Sequence, residues 1–219
     1  MAVRWQSRLS GKNMNEFEYV IGIDQSYKRT GLSLSYKGKL VDYFTISPEF
    51  LSDIELKRKY IANIIYQWLQ KSVSEGKLEP QKTICLFESI RMFSRGFLNM
   101  DYILKTGALI TNIADIMSEF TINCYSIDTR AWKAAVVGTS KPQENKYKIN
   151  PAKWPTILYC KNILQIEYDK MLIPEKRHKA GTIRVKKQLY SVNDDLCDAI
   201  CISLYPFKGN AKNMKKLEF

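Results

Sequence analysis

Thr83 to Phe87 (Thr-Ile-Cys-Leu-Phe) is an unbroken apolar and β-favouring run closed by Glu88. A run of that kind reads as a strand covered on both faces, which calls for a sheet with helices packed above and below it. The flanking segments fit that plan. Tyr19 to Ile23 is a second short apolar run, ending in Asp24; the polar turn Gln25 to Thr30 follows, then Gly31 and the alternation Leu32, Leu34, Tyr36. These read as a hairpin, and Leu40 to Ile46, after the Lys37-Gly38-Lys39 turn, as a third antiparallel strand. Ser52 followed by Glu55 has the spacing of a capping box, and Ile54 to Leu69 recurs at helical period until Gly76 and Pro80. Leu98 to Phe120 reads as a second long helix, Thr121 to Ile127 as a fifth strand, and Asp128 or Thr129 as the cap of a short helix closed by Gly138. The expected fold is α/β, a mixed five-stranded sheet flanked by helices.

The rest of the chain is less regular. A helix is expected from about Pro155 to Tyr168, a basic loop or hairpin from Pro174 to Tyr190, and an apolar helix from Ser191 to Tyr205 whose first turn holds Asp194, Asp195 and Asp198. The domain plan is a basic N-terminal extension (1–18), one domain (19–205) with an elaborated basic segment (139–190), and a basic tail (206–219). No segment reaches ~18 uncharged apolar residues, and the basic start, Met1 to Lys12, lacks an apolar core. Neither a membrane span nor a secretory signal is expected, which points to the cytoplasm. Five cysteines without a CxxC pair fit reduced core thiols.

Charge narrows the partner. The chain carries 34 Lys and Arg against 22 Asp and Glu, a net charge of +12. Of these, 12 basic and 4 acidic residues lie between Thr139 and Tyr190. Such a concentration fits a polyanion, nucleic acid foremost, although a basic run read alone is as often a solvated face.

Against that background the acids stand out. Asp24 and Glu88 each end an apolar strand, where ligands collect in open α/β sheets and where a carboxylate is costly without a cation or donors. On a helix, Asp195 and Asp198 at i,i+3, or Asp194 and Asp198 at i,i+4, share a face. Singly, the Asp194 to Asp198 acids also read as helix caps or dipole partners and Asp24 as a turn former, while Glu88 alone is ambiguous. Together, acids from three distant segments beside a polyanion need hard divalent cations. Two such ions support in-line phosphodiester hydrolysis.

Four stretches resemble the RuvC-type Holliday-junction resolvases of the RNase H-like superfamily, particularly their divergent phage-encoded branch. They are Ile21-Gly22-Ile23-Asp24-Gln25-Ser26 with Thr30-Gly31; Phe87-Glu88; Trp132-Lys133-Ala134-Ala135-Val136-Val137-Gly138; and Asp195-Leu196-Cys197-Asp198-Ala199. The resemblance implies metal-binding catalytic roles for Asp24, Glu88, Asp195 and Asp198, with two magnesium or manganese ions, and places Lys133 near the scissile phosphate. It also implies a homodimer acting on four-way DNA junctions. Phe93 after the glutamate, with Met92 beside it, matches the family's wedge position. Arg95, Lys141, Lys146, Lys148, Arg184, Lys186 and Lys187 are further candidate DNA contacts, whereas His178, the one histidine, reads as phosphate-facing or solvated. Gln25 stands where the family has proline or a small residue, and the 139–190 segment is longer than the family's, which leaves a relaxed branched-DNA nuclease open. Two other functions compete: a catalytically silent DNA-binding scaffold, and an actin- or sugar-kinase-like ATPase, which Gly22-Ile23-Asp24 with Thr30-Gly31 also resembles but which needs a second domain.

Overall fold

The computed structural model of the chain describes residues 4–8, 17–90, 93–94, 97–98, 100–139, 141–145, 148–167, 171–176, 178, 180–185, 188–209 and 213–218. In chain order the elements are β1 (Arg4–Arg8), β2 (Tyr19–Asp24), β3 (Thr30–Tyr36), β4 (Lys39–Ile46), α1 (Ile54–Ser74), β5 (Thr83–Glu88), β6 (Phe93–Ser94), β7 (Phe97–Leu98), α2 (Met100–Glu119) and β8 (Asn123–Ile127). Then come α3 (Thr129–Trp132), a π-helical turn (Lys133–Val137), α4 (Trp154–Asn162), β9 (Leu172–Glu175), β10 (Thr182–Val185), β11 (Gln188–Val192), α5 (Asp194–Lys208) and β12 (Lys215–Glu218).

The main sheet has the order β1-β12-β8-β5-β2-β3-β4. Its centre, β2, β5 and β8, is parallel, while β3 and β4 add antiparallel on one side. All five expected strands are present. The chain ends, expected to be only an extension and a tail, contribute β1 and β12 as two further antiparallel strands beyond β8.

Residue parity divides the core. Ile21 and Ile23 of β2 and Cys85 and Phe87 of β5 pack on one face with Ile61, Ile65 and Leu69 of α1 and Leu109, Ile113 and Met117 of α2. Val20 and Leu86 point to the other face, against Cys160 of α4 and Cys197, Ile200 and Leu204 of α5. The central strands are thus buried on both sides, as the Thr83–Phe87 run requires. Each fully buried Ile or Leu in these layers contributes about 1.5–3 kcal/mol.

Helix α5 lies unusually close to the sheet, because the residues beneath it are small. A Cβ on Gly22 would fall 2.3 Å from the Ala199 carbonyl oxygen, and one on Gly31 would fall 2.1 Å from that of Asp195. Between them, the buried Ser33 and Ser35 hydroxyls donate to the Ala199 and Ser203 carbonyl oxygens at 2.8 and 2.7 Å. The Gly-x-Asp and Thr-Gly pieces of the sequence are therefore a docking groove for this helix.

Several boundaries differ from the sequence reading. The cap of α1 is Asp53, whose carboxylate accepts from the Leu56 amide at 2.8 Å, one residue after Ser52. Helix α4 stops at Asn162, well short of Tyr168, and the chain reverses with Gln165 at φ 53°. The basic segment after Pro174 is neither a loop nor a single hairpin: β9, β11 and β10 form a separate three-stranded antiparallel sheet. Helix α5 starts at Asp194, capped by Asn193, because the preceding residues through Val192 are held in β11. Among the described residues no helix is long and apolar enough to cross a membrane.

Candidate active site

The parity that divides the core also aims the acids. In β2, Val20, Gly22 and Asp24 share a face; in β5, Ile84, Leu86 and Glu88 do the same, and both faces lie under α5. The parallel register sets Ile23 beside Phe87, so Asp24 and Glu88 leave the sheet side by side at the carboxyl ends of adjacent strands. Gln25 fixes that pairing through its side-chain amide, which donates to the Glu88 carbonyl oxygen at 2.9 Å. Asn193, buried at the N-cap of α5, accepts from the Leu196 amide and donates to Thr45 Oγ1 at 2.7 Å. The first turn of α5 is thereby anchored over the strand ends, carrying Asp194 and Asp195, with Asp198 one turn further on.

Two cations that the sequence reading missed organise these acids. The Lys153 ammonium is ion-paired with Asp198, whose side chain is 1 % exposed, and lies 3.9 Å from Asp24 and 3.8 Å from Asp194. Arg29, from the turn between β2 and β3, holds Asp195 at 3.1 Å and Asp194 at 3.8 Å. The structure thus gathers Asp24, Asp194 and Asp198 on Lys153 and turns Asp195 toward Arg29. Glu88 accepts from Thr129 Oγ1 at 2.5 Å.

Lys133 reaches the site from the π-helical turn, a distortion common at functional positions. Its side chain is buried, and its Nζ donates to the Ala152 carbonyl oxygen at 2.7 Å. Burial raises the proton affinity of the Glu88 carboxyl, and the Lys133 charge is one of the groups that oppose that rise. Lys133 therefore grips the residue before Lys153, in addition to lying near the acids.

Positive charge does not balance the cluster. Burial pushes the Asp24 carboxyl well above its usual range, with Asp198, Glu88 and Asp195 adding to the rise and Lys153 opposing it. Burial and Asp198 raise Glu88 against the Thr129 hydrogen bond, and burial and Asp194 raise Asp195 against Arg29. Lys153 is the reverse case: burial disfavours its charge, yet Asp198, Asp24 and Asp194 together lift it well above the ordinary lysine value. Asp198 Oδ1 is buried without a hydrogen-bond partner, although buried carboxylate oxygens normally have one.

Among the described residues, no three His, Cys, Asp or Glu side chains close to a separation at which they would jointly ligate an ion. The donor chemistry nonetheless suits a hard divalent cation: only carboxylate oxygens converge, one of them an orphan, and the centre of the group is a point where a cation already rests.

The remaining expected residues fall outside this cluster. Lys141 and Lys148 are exposed in the segment between the π-helical turn and α4, Arg184 is exposed on β10, and His178 is exposed between β9 and β10. Phe93 begins β6, its side chain outside those described, and Met92, Arg95, Lys146, Lys186 and Lys187 lie outside the described residues. The signal for Lys153 was slight. It is one of 12 basic residues in its segment, distinguished only by standing where Asn150-Pro151-Ala152 meets the start of an apolar helix.

No protein-family model matches the chain, and no curated protein matches it in sequence. Solved structures do match in fold. The chain is 17% identical to the Thermus thermophilus RuvC structure, with a TM-score of 0.54 over 91% of this chain and 99% of that one. Against T. thermophilus RuvC in complex with Holliday junction substrate, the identity is 16% and the TM-score 0.50, over 85% and 90% of the two chains. The fold is RuvC-like.

Proposed function

We propose that this chain is a divalent-metal-dependent endonuclease that hydrolyses phosphodiester bonds in branched DNA, four-way junctions foremost. The observation that carries the reading is the meeting of Asp24, Glu88, Asp194, Asp195 and Asp198 at one end of the sheet with negative charge in excess. Such a group is costly to fold and gains its purpose when cations arrive. Asp24, Glu88 and Asp198 would hold magnesium or manganese, with Asp195 or Asp194 as the further ligand. Bound there, the ions would activate the attacking water and stabilise the leaving 3′ oxygen.

The protein's own groups have separable tasks. Asp198 is fixed by α5, whose approach the Gly31 and Gly22 groove permits, so the distance from α5 to β2 sets the acid spacing. Thr129 and Gln25 hold Glu88 in place at its carboxyl and its backbone. Arg29 keeps the first turn of α5 bound to the β2–β3 turn. Lys133 supplies buried positive charge beneath the acids and orients the Ala152-Lys153 peptide. Exposed Lys141, Lys148 and Arg184 would follow the DNA backbone, where phosphate contacts supply affinity and register rather than sequence choice.

A four-way junction has two-fold symmetry, and a homodimer would present two such sites to it. Met100 and Leu104, exposed on the outer side of α2, offer apolar surface for that pairing. The solved RuvC bound to a Holliday junction has this fold, which supports the choice of substrate.

The competing reading is a DNA-binding scaffold without turnover, favoured by the presence of Lys153 among the acids. Cleavage of a synthetic junction separates the two. Wild type should nick it with magnesium or manganese, while Asp24→Asn and Asp198→Asn should bind it and leave it intact. Full cleavage by both variants refutes the mechanism, and a wild type that binds but never nicks establishes the scaffold.

A further inference from the structure

The position of Lys153 is built rather than incidental. Asn145 is tied twice to Ile149, its amide donating to the Ile149 carbonyl oxygen at 2.8 Å and its oxygen accepting the Ile149 amide at 3.0 Å. Asn150 accepts the Ala152 amide at 3.0 Å, and Lys133 holds the Ala152 carbonyl from below. Lys153 is the next residue. Its ammonium meets Asp24, Asp194 and Asp198 although its side chain remains 26 % exposed, so the stem has a route out to solvent. Arg29, by contrast, is only 14 % exposed and serves Asp194 and Asp195 from the β2–β3 turn.

We propose that Lys153 is an internal counter-cation that holds the carboxylate cluster together in the metal-free protein, competes with divalent ions for it, and is displaced when they bind. The inference rests on the nuclease reading, because it concerns the same acids. Three carboxylates around one ammonium leave no room for an ion at the same centre. A monovalent, hydrogen-bonding cation is also a weaker match than a divalent ion for oxygens from separate chain segments. Lys153 therefore acts as a positioning residue. It keeps α5 and β2 at the spacing the acids need, and its removal exchanges stability of the empty cluster for affinity toward the ion. A passive surface ion pair would do neither, since such pairs contribute little.

The test is manganese binding by calorimetry to wild type and Lys153→Met, with melting temperatures in chelator and in manganese. Lys153→Met should bind manganese about tenfold more tightly, a difference of about 1.4 kcal/mol. It should melt below wild type in chelator, and manganese should close that gap. A second measurement needs no variant: acetylation of Lys153 in wild type, read by peptide mass spectrometry against exposed Lys71, should quicken about tenfold when manganese is added, as the shielded amine becomes free. Equal or weaker manganese affinity in Lys153→Met, or an unchanged Lys153 acetylation rate in manganese-bound wild type, overturns the counter-cation role and leaves the nuclease reading standing. Absence of manganese binding in both proteins overturns the two together.

Discussion

Replacing Gly31 with alanine tests whether helix docking sets the acid geometry, since it alters no charged residue. The added Cβ would lie 2.1 Å from the Asp195 carbonyl oxygen, 2.6 Å from its carbonyl carbon and 3.0 Å from the Leu196 amide nitrogen. Ordinary contact begins at 3.4 Å, so the first turn of α5 must retreat by about 1.3 Å. The obstructing atoms are backbone and cannot rotate aside. Overpacking of this kind costs about 1–3 kcal/mol, and each kcal/mol lowers the melting temperature of a chain this size by about 2–4 °C. The same retreat carries Asp194, Asp195 and Asp198 away from Asp24 and Glu88, and a misplacement of about 1 Å costs roughly 10²-fold in rate. The assay is single-turnover nicking of a labelled four-way junction in magnesium, beside a thermal melt. Gly107→Ala is the control. Its Cβ meets only Ile90 Cδ1 at 3.9 Å, and removing a mid-helix glycine from α2 should stabilise by about 1 kcal/mol with no change in rate. A Gly31→Ala protein that melts and cuts like wild type would refute the groove argument.

Asp24→Asn should raise the melting temperature of the metal-free protein near neutral pH while abolishing cutting, because it removes a buried carboxylate whose charge is disfavoured; a lower melting temperature contradicts this. Asp24, Glu88 and Asp195 bind protons more tightly folded than unfolded. The stability they contribute is therefore full below the ordinary carboxyl value of about 4 and is lost as pH rises through their elevated values. A pH series of chelator-treated melts should show that fall, flattened in Asp24→Asn; identical slopes in the two proteins contradict the assignment. Replacing exposed Lys176 and Arg184 with alanine should weaken junction binding and flatten its dependence on log salt by about 0.9 for each phosphate no longer neutralised, and an unchanged slope removes these residues from the DNA surface.

Much of this was legible because strands transmit parity. An apolar run closed by an acid announces both a buried strand and a carboxylate at its end, so Asp24 and Glu88 could be placed together from sequence. The helical spacing of Asp194, Asp195 and Asp198 put them on one element in the same way. What it could not reveal was which acid faces which cation. Arg29 meets Asp195 across 166 residues and Lys153 meets Asp198 across 45, and no local pattern encodes a contact of that span. The role of Ser33 and Ser35 was equally hidden: alternation assigns them to one face of β3, but only the arrival of α5 makes that face an interior. The three-stranded sheet of β9, β10 and β11 escaped because its strands are four or five residues long and its basic composition reads as loop. The chain ends escaped for a related reason, since their pairing partners are each other and β8, not neighbours in sequence.

A strand-by-strand map of cleavage on a panel of four-way junction, fork, flap and linear duplex, with magnesium present, tests metal-dependent junction cutting most directly. Paired nicks at symmetric positions beside the branch point, absent from the linear duplex and abolished by chelation, are the predicted outcome. Cutting of linear duplex as readily as of the junction, or cutting that persists in chelator, would contradict it.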